Sequence, residues 1–193
     1  DQPTEVLENS VRQLTQAGFI LPKDGVNSSS RFQFGNSLEQ KAISSTLPPE
    51  TVSDLHEKTA TALEQSLQNQ VDTQAGKVAR HFQQAGKVHE SIKWYLRVAK
   101  YAWSTFAKVE TERIFTEIAG IFEQHPDQVS DDDAFQVFSQ QAKFAYESND
   151  HDMLDHICRA CFDWAQKSES TLMTGAAFHH MGLAAYMKGD YRQ

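Results

Sequence analysis

The spacing of hydrophobic residues changes once along the chain, near Asn36. After this point apolar side chains recur every three or four residues, which is the period of an α-helix with one buried face. From Ala75 onward the periodicity continues with no strand signal. The pattern predicts a mainly α chain with no β-strand beyond residue 34. The clearest stripe consists of Val52, Leu55, His56, Thr59, Leu63 and Leu67.

The first part of the chain has a different pattern. Residues 4–17 predict a helix, and the runs 19–21 and 31–34 predict two short strands joined by turn residues. A helix followed by a hairpin is the closing half of a winged helix. We therefore assign residues 1–47 to the C-terminal part of a winged-helix domain, and residues 48–193 to an array of helical hairpins.

Two boundaries near the end of this first part have local signals. Asn36 is predicted to be the N-cap of a helix over residues 36–45, with Glu39 three positions on, as in a capping box. Pro48 and Pro49 then break this helix and begin the next one.

A short pattern occurs three times in the helical part. It consists of a small residue followed seven positions later by Gly or Asn. The small residue is expected to let two helices of a hairpin approach closely, and the Gly or Asn to end the first helix in the left-handed conformation. The three pairs are Ala79 with Gly86, Ala142 with Asn149, and Gly182 with Gly189.

The spacing of these turns is uneven. The interval from Asn149 to Gly189 is close to the ~34 residues of a tetratricopeptide unit, whereas the interval from Gly86 to Asn149 is nearly twice as long. The longer interval predicts a hidden, degenerate hairpin, in which residues 92–106 pack against residues 108–122.

The segment MGLAAYMKGDY at residues 181–191 resembles the first helix and turn of a tetratricopeptide repeat. A longer set of phrases is similar to the junction between the winged helix and the helical repeats in bacterial signal-transduction ATPases of the STAND class. These phrases are RFQFGNSL at 31–38, LHEK at 55–58 and ARHFQQAG at 79–86. The resemblance covers most of the chain. It implies a truncated tetratricopeptide-like array that serves as the sensor arm of a larger regulator.

One position departs from the pattern of that family. Asn36 stands where its members usually carry a histidine, in a phrase like Phe-x-Phe-x-His, and a histidine here contacts the nucleotide phosphate in some relatives. Asparagine can cap a helix but carries no charge, so nucleotide sensing through position 36 stays open. No Gly-x-x-x-x-Gly-Lys-Ser/Thr loop occurs. We therefore expect no cofactor in this fragment, and any ATPase, cyclase or kinase activity of a parent protein to lie outside it.

Composition narrows the classes of partner. Asp and Glu number 26 against 18 Lys and Arg, which gives a formal net charge of −8. Nucleic-acid binding needs a basic face, so nucleic acid and anionic lipid are disfavoured as partners. A DNA-binding transcriptional regulator that uses the winged helix is the alternative function, but its wing carries only Lys23 and Arg31.

Targeting signals are not visible in the sequence. It has no uncharged apolar run of about 18 residues and no basic segment followed by an apolar one. We expect no membrane partner and a cytoplasmic location. Because the chain starts at Asp1 without Met and stops at Gln193 within a repeat pattern, we also expect it to be part of a longer protein.

The two cysteines suggest a metal site that we do not favour. His156, Cys158 and Cys161 supply three soft ligands, whereas structural zinc takes four and prefers a knuckle to the middle of a helix. Cysteine also behaves as a small hydrophobic residue. The repeat pattern therefore predicts that Cys158 and Cys161 are buried in the helical core.

Histidine and aspartate residues also have structural interpretations. His179 and His180 point about 100° apart on a helix, so they are not expected to share a metal ion. The acidic triplet 131–133 is predicted to begin a helix, where carboxylates meet the positive end of the dipole. His56, on an apolar stripe, is predicted to be a hydrogen-bonded core histidine.

These observations favour a non-catalytic binding and sensor arm; an enzyme with an unrecognised site is a further alternative. The predicted binding surface is the concave face formed by the first helix of each hairpin. Its mixture of cations, amides and aromatics suits a protein or peptide partner, or a small polar effector. A second copy of the chain, in a homo-oligomer, is a further partner that the sequence leaves open. The residues aimed into this groove are Arg80, Gln83, Gln84, Ser139, Lys143, Tyr146, His179, Leu183 and Tyr186.

Overall fold

The computed structural model describes residues 2–22, 32–67 and 75–189, and it is mainly helical. The chain divides into two compact units, Asp1–Val52 and Ser53–Gln193. The predicted boundary lies five residues earlier, after residue 47. The winged-helix assignment of the first unit stays a prediction, and its wing residues Lys23 and Arg31 lie outside the described residues.

The first unit contains a helix and a small antiparallel sheet, as predicted. Ile20 pairs with Phe34 at one end of the two strands, and Pro22 pairs with Phe32 at the other. Asn36 caps the following helix, because its side chain accepts a hydrogen bond from the backbone N–H of Leu38 at 2.9 Å. The elements are α1 (Gln2–Gln16), β1 (Ile20–Pro22), β2 (Phe32–Phe34) and α2 (Ser37–Thr46).

The second unit is entirely helical in its described residues. Its hydrophobic core runs through all of its helices, and its largest fully buried aliphatic side chains include Ile92, Ile114, Ile121 and Leu154. After α3 (Pro49–Leu67), which begins in the first unit, the helices are α4 (Ala75–Gln84), α5 (Val88–Ser104), α6 (Lys108–Gln124), a short 3₁₀ turn (Pro126–Gln128), α7 (Asp131–Glu147), α8 (His151–Ser168) and α9 (Thr171–Lys188).

Helices of the second unit pack in two ways. Consecutive helices pack as hairpins, as α4 does on α5, α5 on α6, α7 on α8 and α8 on α9. In addition, α7 packs against both α5 and α9, so these three helices form one row. Between α5 and α7 the rings of Trp103 and Phe144 meet edge to face, with centroids 4.7 Å apart. The α5–α7–α9 row determines which side chains share a surface.

The predicted left-handed turns are present, but they are not the only ones. Gly86, Asn149 and Gly189 have φ angles of 71°, 56° and 72°. Phe106 and Glu169, which carry no Gly or Asn signal, are also left-handed, with φ of 59° and 52°. Left-handed residues therefore follow α5 and α8 as well, and such a turn does not by itself identify the first helix of a hairpin.

This corrects the predicted repeat register. The sequence pattern treats α4, α7 and α9 as equivalent first helices, but two helices, α5 and α6, lie between α4 and α7. In an alternating stack, equivalent helices are separated by an odd number of others. It is α5, rather than α4, that joins α7 and α9 in one row.

Two of the three small residues predicted to lie at helix contacts are buried. Ala79 is fully buried and Ala142 is 1% exposed. Gly182, in contrast, is exposed, and a Cβ added there would meet no atom within 4 Å. The interpretation of Gly182 as a helix-contact residue is therefore wrong, because α9 turns this position away from its neighbours.

These two environments predict opposite effects of enlarging a small residue. Replacing Ala79 with Leu should overpack the core and cost roughly 1–3 kcal/mol of unfolding free energy. Replacing Gly182 with Ala should instead stabilise the protein by about 0.5–1 kcal/mol, through helix propensity alone. Urea unfolding of both variants checks this, and equal effects at the two sites would contradict the packing described for α4 and α9.

Candidate functional site

A groove of about 620 Å³ lies between α7 and α9. We call it the α7–α9 groove. Small residues of the two helices, Ala142, Gly175 and Ala176, lie along it and leave room between the backbones. Its apolar walls are completed by Phe135, Leu172 and Leu183, and its polar side chains are Ser139, Lys143, Tyr146, Thr171, His179 and His180.

Gly175 is the position where the groove is most easily filled. It is exposed in the second turn of α9, and a Cβ built there would meet no atom within 4 Å. A side chain can therefore begin at this position without a clash at its Cβ.

Lys143 supplies the permanent positive charge of the groove. Its ammonium nitrogen lies 3.7 Å from an oxygen of Glu147, four residues on along α7, and both side chains are exposed. Such a pair contributes at most about 1 kcal/mol, because water screens it and the side chains lose entropy. Glu147 also accepts a hydrogen bond from the indole N–H of Trp103. Lys143 can therefore leave this carboxylate for a ligand at small cost.

Two adjacent histidines on α9 differ strongly in their surroundings. His179 is exposed, whereas His180 is 5% exposed and lines the groove from beneath its surface. Their rings meet edge to face with centroids 5.5 Å apart. Burial, followed by the charge of His179, lowers the pKa of His180. The ring of His180 is therefore neutral at neutral pH.

Five of the nine predicted binding residues lie together in the α7–α9 groove: Ser139, Lys143, Tyr146, His179 and Leu183. Tyr186 lies farther along α9, with 59% of its surface exposed, and is not part of the groove lining. The sequence suggested that the His179–His180 pair faces solvent or lines a groove, but it did not indicate that His180 is buried, and it did not single out Gly175. A helical glycine and a buried histidine both resemble ordinary packing residues.

The three predicted residues of α4 lie elsewhere. Arg80 lines a second groove, of about 400 Å³, formed by α4, α5 and α6 together with Tyr95 and Arg113. Gln83 accepts a hydrogen bond from the hydroxyl of Tyr95 at 3.0 Å, and burial raises the pKa of that hydroxyl. Gln84 is exposed. The structure does not bring these residues to the α7–α9 groove, because α4 is not in the α5–α7–α9 row.

The cysteines are core residues, as predicted. Cys161 is fully buried, and Cys158 is 6% exposed. Burial raises the pKa of the Cys161 thiol to about 11, so the thiol stays protonated and poorly reactive. Within residues 2–22, 32–67 and 75–189, no three His, Cys, Asp or Glu side chains are grouped to hold a metal ion.

The acidic triplet begins α7, as predicted. Ser130 is the N-cap, and it forms a capping box with Asp133: each side chain bonds to the backbone N–H of the other residue. Asp133 is 3% exposed and lies 2.7 Å from the Nδ1 atom of His89 on α5. The indole N–H of Trp164 on α8 donates to Asp131. These carboxylates therefore fix the start of α7 against α5 and α8.

His56 is hydrogen-bonded, as predicted, but it is half-buried instead of a core residue, and its partner is another histidine. The Nδ1 atoms of His56 on α3 and His81 on α4 are 2.8 Å apart, so one ring must donate and the other accept. Burial is the first cause that lowers the pKa of His81, followed by the charges of His56, Arg80 and Lys77. Protonating both rings would break this bond between α3 and α4.

Comparison with protein-family models, with curated proteins and with solved structures finds no match to this chain. No helix among the described residues is both long enough and apolar enough to cross a membrane.

The histidine pair predicts a specific pH dependence of stability. The pKa of His81 is lower in the folded protein than its ordinary value of 6.5, so the unfolded chain binds the proton more readily. Its contribution to stability is complete above pH 6.5 and is lost as the pH falls below that value. Replacing His81 with Gln, which does not titrate, should flatten the decrease in unfolding free energy between pH 7.5 and 5.5.

Urea unfolding at the two pH values measures this effect. The exposed His156, replaced with Gln, is the control and should keep the wild-type dependence. If both variants lose the same stability on acidification, the His56–His81 bond is not the acid-sensitive contact.

Proposed function

We propose that this chain is a non-catalytic sensor and interaction arm whose α7–α9 groove binds an extended peptide segment of a partner protein. The observation that carries the proposal is the groove itself, which is lined by both apolar and polar side chains. Grooves of this kind hold peptide side chains in apolar pockets and fix their orientation with a few polar groups.

The length of the groove favours a peptide over a small effector. Its α7 wall extends from Phe135 to Tyr146, which at 1.5 Å per helical residue is about 16 Å. An extended chain rises about 3.3 Å per residue, so this wall can accompany about five peptide residues. A small polar molecule would occupy only a part of it.

The architecture that we propose is a tetratricopeptide-like array. It is supported by the hairpin packing of consecutive helices, by the α5–α7–α9 row and by the left-handed turns at Gly86, Asn149 and Gly189. In such arrays the helices of one row line the face that binds ligands. The sequence resemblance described above further suggests a larger cytoplasmic STAND-class regulator as the parent protein.

The proposal predicts that filling the groove abolishes binding without unfolding the protein. Replacing Gly175 with Leu should put a side chain into the groove and reduce peptide affinity at least tenfold. Leucine is also the better helix former by roughly 0.5–1 kcal/mol, so stability should not fall. Gly182, replaced with Leu, is the matched control, because it is an exposed glycine of the same helix that does not line the groove.

The ligand for this test is obtained by selecting peptides from a displayed random library on the wild-type protein and titrating them by calorimetry. Replacing Lys143 with Glu should also weaken binding, whereas the same change at Lys93, which is exposed on α5 and outside the groove, should not. Equal affinities for the Gly175 and Gly182 variants would refute the α7–α9 groove as the binding site.

A further inference from the structure

His180 is an unusual residue of the α7–α9 groove, because it is buried without a hydrogen-bond partner. Both ring nitrogens are inaccessible, and no described protein group bonds to either of them. A buried polar group left unpaired costs about 1–3 kcal/mol, and the great majority of such groups in proteins are paired. A leucine at this position would fill the space without that cost. The imidazole therefore destabilises the free protein.

The polar residues around His180 have one property in common. Ser139, Tyr146 and Thr171 carry hydroxyl donors, Lys143 carries an ammonium group, and His179 and His180 carry ring N–H groups. No Asp, Glu, Asn or Gln is among the residues described as lining the groove. In a chain with 26 acidic residues and a net charge of −8, this is a locally donor-rich surface. Its complement is a group that only accepts hydrogen bonds.

A carboxylate is the acceptor group that fits this arrangement. It accepts up to four hydrogen bonds, and bonds between ionised and polar groups are about twice as strong as neutral ones. Lys143 supplies the opposite charge, and the hydroxyl of Ser139 and the rings of His179 and His180 supply further donors. The apolar walls at Phe135 and Leu172 would hold a neighbouring hydrophobic side chain.

We propose that the α7–α9 groove recognises a carboxylate of its peptide ligand and that His180 is the buried donor reserved for it. This inference rests on the proposed function, because it names the ligand group that the same groove selects. The carboxylate can come from the C-terminus of the peptide or from an Asp or Glu side chain. Both sources have the same chemistry at His180.

Access to the ring requires only a local movement. His180 lines the groove although its ring nitrogens are inaccessible, and the exposed ring of His179 lies edge to face against it, so we expect side-chain rearrangement at this pair on binding. Once a carboxylate bonds to His180, the ionised imidazole is favoured, because an opposite charge raises a histidine pKa. Binding should therefore be accompanied by uptake of a proton at His180.

Other titratable groups in the groove and on the neighbouring helices could also change protonation when a ligand binds. His179 precedes it on α9, Lys143 and Tyr146 face it from α7, and the cysteines Cys158 and Cys161 lie on α8. Burial raises the pKa of both thiols, so they stay neutral. Among these described groups we therefore assign the proton to His180, whose buried ring would receive the carboxylate.

The test compares selected peptides in three forms on three proteins. The peptides are the free acid, its C-terminal amide and a version with Asp or Glu replaced by Asn or Gln, and the proteins are wild type, His180→Leu and His179→Gln. Wild type should lose roughly tenfold to a hundredfold in affinity when the recognised carboxylate is neutralised, as expected for a hydrogen bond to a charged group. A loss with the C-terminal amide identifies the C-terminus as the recognised carboxylate, whereas a loss with the Asn or Gln version identifies an Asp or Glu side chain.

The His180→Leu variant should bind the free acid and the peptide whose recognised carboxylate is neutralised with the same affinity, which is weaker than that of wild type for the free acid. It should be at least as stable as wild type in urea. Titration in two buffers of different ionisation enthalpy should show proton uptake for wild type and for His179→Gln, but none for His180→Leu. These readouts separate recognition by His180 from a purely structural role.

Two results would overturn the inference. One is that the selected peptides bind equally well with and without their carboxylates; the other is that His180→Leu keeps the wild-type preference. If Gly175→Leu still prevents binding in either case, the groove is the peptide site and only the assignment of His180 fails. If Gly175→Leu binds normally as well, the proposed function itself is refuted.

Discussion

The packing of α7 on both sides is the constraint on which the rest of the second unit depends. Phe144 contacts Trp103 of α5 and Phe115 of α6, with ring centroids 4.7 Å and 5.8 Å apart, and this anchors α7 to the helices before it. On its other side α7 packs against α8 and α9. Between α7 and α9 lies the α7–α9 groove, which small residues of both helices, Ala142 and Ala176, help to line. The candidate site is therefore an open part of the contact between α7 and α9, and the ring contacts of Phe144 hold α7 in position.

Helix limits were predictable from sequence because their signals are local, whereas the lateral arrangement was not. Asn36 marks the start of a helix through its capping side chain, Asn149 and Gly189 mark helix ends through the left-handed conformation, and the structure confirms all three. Which helices are neighbours in the stack depends on how many helices lie between them in the chain. That number could not be counted from Gly and Asn turns, because Phe106 and Glu169 also adopt the left-handed conformation. Placing α4 beside α7 followed from this ambiguity. Five groove residues of α7 and α9 were nevertheless among the predicted binding residues, since these two helices were aligned correctly with each other.

The groove residues that were hardest to predict from sequence, His180 and Gly175, are those expected to destabilise the folded protein. Sequence patterns report what stabilises a helix or a core, and a buried, unpaired imidazole such as His180 does neither. Local rules are expected to fail at functional positions, where stability is exchanged for recognition. Gly175 fits the same logic, because a glycine in the second turn of α9 weakens the helix and keeps the groove open. Under the proposed function, the cost of both residues would be offset by binding.

The charge of the whole chain and the charge of the groove act over different distances. A net charge of −8 repels an acidic peptide during its approach, but at physiological ionic strength this repulsion is screened beyond about 8 Å. Within the groove, Lys143 and the hydrogen-bond donors act at contact distance, where screening is weak. A carboxylate ligand would therefore gain little from long-range steering, and its affinity would come from slow dissociation instead of fast association. Selectivity would follow as well, because a peptide that places its charge out of reach of His180 would keep the long-range repulsion and lose the local bonds.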